Sequence, residues 1–204
     1  MHAIVKDNNI TQLITNPKSV VIGDVRYPAK IFELWSKSEL NAIGIYEVVT
    51  DSTNKKNDAY YNNTNEEYNY TDGQVTRSWG TATPKRLEDE DAKDVDGNNI
   101  LDDDGNKIIN YGLKTEKKRI IKQQASKLLA PTDWYVIKAN EVADYNVPEN
   151  ITTFRADVRS KSNEMETQID ACNNVDELET LYTYTPQEDG TITRPLAEFP
   201  KEVV

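Results

Sequence analysis

Apolar and polar residues alternate through the first third of the chain, and after residue 113 the apolar spacing changes to three and four. Ala3-Ile4-Val5 and Ile10-Thr11-Gln12-Leu13 flank the polar run Lys6-Asp7-Asn8-Asn9, which predicts a β-hairpin. Residues 19–22 form another β-branched run, closed by Gly23-Asp24. Ser36 and Glu39 have capping-box spacing and predict a short helix, with Gly44 as its left-handed stop. Ile45-Tyr46-Glu47-Val48-Val49 then alternates as a strand. Residues 51–65 are rich in Asn, Lys and Asp and predict a mobile loop. Residues 67–71 and 74–79 surround Asp72-Gly73, a two-residue hairpin signal, and residues 81–87 suit a further strand.

The helical period predicts a first helix over 115–129, stopped by Pro131, and a second capped by Thr132 or Asp133, with Trp134 and Ile137 on one face. Pro148 opens a third, on which Ile151, Phe154, Val158, Met165, Ile169 and Cys172 form a seam toward another helix. Asn174 caps a fourth over 175–182, with Leu178 and Leu181 inward. The remainder, with Pro186, Pro195, Pro200 and the turn Gln187-Glu188-Asp189-Gly190, predicts an extended tail. The fold class is therefore α+β: a β-rich domain with one short helix over 1–87, an acidic linker or hairpin over 88–112, a helical hairpin or small bundle over 113–182, and a tail over 183–204.

Composition narrows the function. A 204-residue chain can bury about 70% of its unfolded surface, but 37% hydrophobic and 29% charged residues predict a modest core and long solvated loops. The 24 basic and 35 acidic residues leave a net charge of −11, which opposes nucleic-acid binding. The basic run Lys114, Lys117, Lys118, Arg119 and Lys122 reads as the solvated face of a helix, beside a stripe of Ile120, Ile121, Ala125, Leu128 and Leu129. Cys172 is the sole cysteine, so no intrachain disulfide forms, and it suits a small apolar filler. No signal peptide is recognised and no apolar run reaches the length of a membrane span, which predicts a soluble protein with no membrane partner.

Candidate chemistry is sparse. The repeat Asp96-Gly97-Asn98-Asn99-Ile100 and Asp104-Gly105-Asn106-Lys107-Ile108 suggests calcium, but aligning either glycine with position six of an EF-hand leaves Ala92 or Ile100 first and Asp103 or Tyr111 twelfth. The segment reads instead as tight Asp-Gly turns. His2 is the only histidine and is expected to be exposed. Neither a zinc ligand set nor a phosphate-cradling glycine loop is present, so the expectation is a non-enzymatic chain with no cofactor and no metal. Aromatic residues are the better candidates: Tyr60, Tyr61, Tyr68, Tyr70 and Trp79 around the polar loop, and Tyr184 and Phe199 in the tail, are predicted partner-binding residues. Trp35 suits a hydrophobic staple and Trp134 a core position.

One pattern is more specific. Leu128-Leu129-Ala130-Pro131-Thr132-Asp133-Trp134, then Val147-Pro148, then Phe154-Arg155-Ala156-Asp157-Val158-Arg159 resembles a motif of tail-associated proteins of tailed, marine-type bacteriophages, including tail-fibre-assembly-type, tail-assembly-chaperone-type and related virion proteins. Trp35-Ser36, Glu39-Leu40 and Gly44-Ile45-Tyr46 are similar to N-terminal segments of such proteins, and the two stretches together span about half of the chain. Phe154 stands where a tyrosine is usual, and the acidic insert is longer than a minimal chaperone needs. The resemblance implies a structural component of the virion tail (a fibre, baseplate or adaptor piece), made in the host cytoplasm. It would contact other tail proteins and form a homo-oligomer in a symmetric assembly. The alternative it leaves open is a tail or tail-fibre assembly chaperone absent from the finished particle.

Overall fold

Turn chemistry sets the first hairpin. In the computed structural model, which describes residues 1–202, β1 (His2–Lys6) and β2 (Asn9–Ile14) are joined by Asp7 and Asn8, both at positive φ (50° and 62°). This is the two-residue geometry whose twist matches that of the strands. A second hairpin pairs β3 (Val20–Ile22) with β4 (Val25–Tyr27) around Gly23-Asp24. The fold is mixed α+β, with a β-rich N-terminal half and a helical C-terminal region, and it divides into two compact units, Met1–Pro84 and a second beginning at Lys85. The acidic stretch belongs to the second unit.

In the first unit, a short α1 (Ile31–Leu34) leads to α2 (Lys37–Ala42), and the Ser36–Glu39 capping box is formed in both directions. The five-stranded sheet has the order β2-β1-β5-β8-β7, with β5 (Ile45–Thr50), β7 (Glu66–Thr71) and β8 (Gln74–Trp79). β1 pairs antiparallel with the first half of β5, while the second half of β5 runs parallel to β8. The edge strands β2 and β7 approach one another, so the sheet curls. Ile4, Ile14, Val20, Ile31, Leu40 and Ile45 form the core, with Trp35 against it and edge-on to Tyr27 at 5.7 Å. His2 departs from expectation: it is half-buried, its ring packs tilted against Phe32 at 5.0 Å, and burial lowers its pKa.

The stretch 51–65 is better ordered than its composition suggests. Tyr61–Asn62 forms β6, paired with β9 (Thr83–Pro84), and the Asn63 amide holds the Lys56 backbone from both sides, accepting from its N–H at 2.9 Å and donating to its carbonyl at 2.7 Å.

Gly44 stops α2 at φ +82°, and a β-carbon there would sit 2.8 Å from the Val5 carbonyl oxygen. The Val5 N–H donates to the Gly44 carbonyl at 2.8 Å, so the neighbour cannot retreat without breaking a bond. Gly44→Ala is expected to destabilise the chain by about 2–4 kcal/mol, from left-handed strain plus overpacking. Gly73→Ala, also at positive φ but facing open space, should cost only about 1–2 kcal/mol. Denaturant unfolding of the two variants measures the difference, and equal costs would show that the close approach carries no energy.

In the second unit the acidic stretch folds as a three-way junction. β10 (Glu90–Asp91) pairs with β11 (Ile109–Asn110) as a stem, and two miniature hairpins are closed by the bridges Lys93–Asn99 and Leu101–Lys107. Three backbone bonds close a ring at the centre: Ile100 N–H to Ala92 O, Ile108 N–H to Ile100 O, and Ala92 N–H to Ile108 O, at 2.8–2.9 Å. The eight-residue period of the sequence is the period of this ring. Asp94 and Asp102 each cap their own turn by accepting two backbone N–H groups, with Gly97 and Gly105 at positive φ.

The helices follow as α3 (Leu113–Leu129), a 3-10 turn over Ala130–Thr132, α4 (Asp133–Glu141), α5 (Glu149–Ala171) and α6 (Val175–Tyr182). α3 packs on α5, with Ala125, Phe154 and Val158 as a buried cluster. Asn174 caps α6 by accepting from the Glu177 N–H at 2.9 Å. Cys172 is buried, and burial raises its pKa.

The basic run on α3 is a solvated face only at Arg119 and Lys122, and Ile120 of the expected apolar stripe is itself exposed. Lys114 is 8% exposed and donates to Glu88 at 2.5 Å and to the Asp170 carbonyl at 3.0 Å, while Lys118 pairs with Asp170 and Lys122 with Glu166. These lysines tie α3 to α5 and to the acidic stretch. The tail also differs from an open extension, since β12 (Thr185–Pro186) and β13 (Ile192–Thr193) form a hairpin and Leu196 is 1% exposed. Residues 203 and 204 of the expected tail lie outside the described residues.

Candidate functional site

Arg155, on the buried face of α5, organises the corner between α3 and α4. Its guanidinium donates to the Leu129 carbonyl at 3.0 Å and to the Thr132 hydroxyl at 2.5 Å, and it pairs with the Asp133 carboxylate at 2.8 Å. Thr132 is fully buried and donates its own hydroxyl to the Leu129 carbonyl at 2.7 Å. A planar fork reaches several oxygens arrayed around one plane, a geometry that the compact ammonium of a lysine does not match. The polar residues of the Thr132-Asp133-Trp134 and Phe154-Arg155 segments therefore meet in one hydrogen-bonded unit.

This corner fixes the start of α4, and α4 buries none of its side chains. Trp134 is 50% exposed and Ile137 55%, with Val136 and Val142 also open. Trp134 is thus on the surface, against the expectation of a core position. The Trp134 ring stacks on Tyr135 at 3.9 Å, and the Lys138 ammonium lies over both the Trp134 ring (5.7 Å) and the Tyr145 ring (4.3 Å). Trp134, Lys138 and Tyr145 consequently share one face. A nine-residue helix gains little from its own backbone bonds, and here only Tyr135 and Ala139 are even partly buried. Its apolar residues point around the whole cylinder rather than along one stripe, and this is the one signal in the sequence that separates α4 from its neighbours.

The aromatic residues expected to bind partners fall into different places. Tyr60 and Tyr61 are each 5% exposed and Trp79 is 6%, so all three are packing residues of the folded chain. Tyr68 and Tyr70 are half-buried on β7: Tyr70 donates to the Tyr46 hydroxyl at 3.0 Å and Tyr68 to Glu66 at 3.0 Å. Tyr184 is exposed beside Arg194, and Phe199 packs partly against the α3–α5 cluster. None of these seven lies on α4. Gln168 has no counterpart among the expected residues: its amide donates to the Pro195 carbonyl at 3.1 Å and accepts from the Ala197 N–H at 2.9 Å, clamping the tail to α5 around the buried Leu196. The side chain reads backbone only, which leaves no mark on the sequence.

Concave surface is shallow. A cavity of about 280 Å³ is lined by His2, Phe32, Trp35, Lys37, Asn41 and Glu47, and a broader depression on α3 by Tyr111, Lys118, Arg119 and Lys122. Among the described residues no group of three or more His, Cys, Asp or Glu side chains is placed to hold a metal, and no helix is long and apolar enough to cross a membrane. Several carboxylates lie below their ordinary range because donors point at them: Glu39 from the Ser36 side chain, Asp94 and Asp102 from the Asn98 and Asn106 backbones, and Glu177 from the Asn173 backbone. A general acid at neutral pH needs the opposite shift.

The same shifts set a pH response. A carboxylate depressed in the folded state contributes stability in full above its unfolded value of about 4, and loses it as pH falls through the lower folded value. The melting temperature is expected to hold between about pH 5 and 7 and to fall below about pH 4, the turns at Asp94 and Asp102 opening together with the α6 cap at Glu177. Carboxyl chemical shifts followed by NMR from pH 7 to pH 2 test this; midpoints at ordinary values would remove the effect.

The chain is thus a two-unit α+β protein in which a short helix exposing Trp134 and Ile137 is held by a buried arginine fork. No family model, no curated protein and no solved structure matches it.

Proposed function

We propose that this chain is a structural component of a phage tail, working through protein–protein contacts. The observation that carries the reading is the junction of Thr132, Asp133 and Arg155. Residues of the tail-protein-like motif more than twenty positions apart assemble into one corner, and that corner presents Trp134 to solvent. A rigidly anchored aromatic residue on an otherwise uncovered helix has the character of an interface anchor, since it offers large contact area at low entropic cost. The acidic surface and the motif support contacts with other tail proteins rather than with nucleic acid.

Quantitative mass spectrometry of purified virions tests the reading. Peptides of this chain at a fixed ratio to a tail protein are expected. Abundance in the infected-cell lysate with none in particles would replace it by an assembly chaperone that leaves before completion.

A further inference from the structure

We propose that the cavity at the end of the first unit's core binds a small zwitterion, an α-amino acid with an apolar side chain. The inference stands whether or not the chain is a tail protein. His2 on β1 and Glu47 on β5 are cross-strand partners, so their side chains share one face of the sheet. The next pair on that face is Ile4 and Ile45, both buried, and His2 also sits opposite the buried Ile14. A further apolar pair would extend the core there. Polar residues stand in its place, a break in the pattern that packing does not call for. Phe32, Trp35, Lys37 and Asn41 close the cavity from the α1–α2 segment. Its volume of about 280 Å³ falls below the roughly 300–1,000 Å³ of drug-sized sites, so the occupant is small.

The lining selects charge as well as size. Lys37 and Glu47 bring opposite charges to one cavity, and among the described residues neither is in an ion pair. His2 is neutral at pH 7, because burial and the neighbouring Met1 ammonium both lower its pKa. A lone cation would meet Lys37 and a lone anion Glu47, whereas an ammonium and a carboxylate on one molecule answer both. The Phe32 and Trp35 rings supply an apolar wall, Phe32 packed against the His2 ring at 5.0 Å and Trp35 edge-on to Tyr27. The Asn41 amide secures the α2 side, oriented to donate to the Ile45 carbonyl at 2.9 Å and to the Lys37 carbonyl at 3.1 Å. The walls are therefore held by the chain's own contacts, which lowers the cost of binding.

NMR titration of the full chain with L-phenylalanine is expected to shift the Trp35 indole N–H saturably, with a Kd of about 2 mM for a ligand of this size. 2-Phenylethylamine lacks the carboxylate and 3-phenylpropionate lacks the ammonium. Each should bind about three- to fivefold more weakly, the effect of one exposed charge pair. Lys37→Met should remove the preference over the amine and leave the preference over the acid, and Glu47→Gln should do the reverse. Because both side chains are exposed, the variants should keep the wild-type circular dichroism. Three results would each overturn the proposal. They are no saturable shift at Trp35 up to about 20 mM, equal binding of the amine or the acid by the wild-type chain, and variants that keep both preferences.

Discussion

Arg155→Ala is expected to lower the stability of the chain by about 3 kcal/mol, because it removes a charged donor from three oxygens at one largely buried corner. The Leu129 carbonyl and the Thr132 hydroxyl lose a charged donor inside the protein. The Asp133 carboxylate, with 55% of its side chain exposed, regains water and contributes less, which keeps the figure toward the lower end of buried-pair losses. Arg155→Lys should recover less than half, since one ammonium cannot serve acceptors arrayed around a plane. Hydrogen exchange should localise the damage to residues 129–141, the 3-10 turn and α4, while the α3–α5 contact farther along keeps its protection. Denaturant unfolding gives the total, and a loss under about 0.5 kcal/mol would show that the fork is ornamental.

A larger loss, about 3–5 kcal/mol, is expected for Phe154→Ala. Phe154 is 3% exposed and packs with Ala125, Val158, Leu128, Leu129 and Phe199, so truncation opens a cavity where α3, α5 and the tail meet. The tail should respond as well. With Phe199 deprived of its partner, the Leu196 N–H, which donates to the Leu181 carbonyl at 3.0 Å, should exchange faster than in wild type. Phe154→Tyr makes a useful contrast. The ring is kept, and Glu149, Asn150 and Asp157 line the depression beside Phe154, so the added hydroxyl has polar neighbours and the cost should stay within about 1 kcal/mol. If Phe154→Ala melts like wild type, the tail does not close the helical core.

The two variants bear on function differently. Phe154 supports the core on which the tail is folded back, whereas Arg155 sets the position of α4.

What could be read along the chain is what neighbours within about four residues decide. Positive φ at Asp7-Asn8, the Ser36–Glu39 box, the stop at Gly44, the Asp-Gly turns and the cap at Asn174 are local hydrogen bonds and local sterics, and the strand and helix periods rest on the same short range. The α+β class and the succession of elements followed from them. Tertiary structure decided the rest. Asn- and Lys-rich composition at 51–65 spoke for a mobile loop, yet Tyr60 and Tyr61 are buried there, because burial depends on what packs above a side chain and not on its neighbours in sequence. The spacing of Lys114 places it on a solvated face, yet Glu88 and Asp170, distant in the chain, close around its ammonium. Trp134 has the residue type of a core position yet is half exposed, on a helix whose start is pinned at a corner by Arg155 from α5. Local energies choose the elements; only the long-range contacts choose which of their faces stays open to a partner.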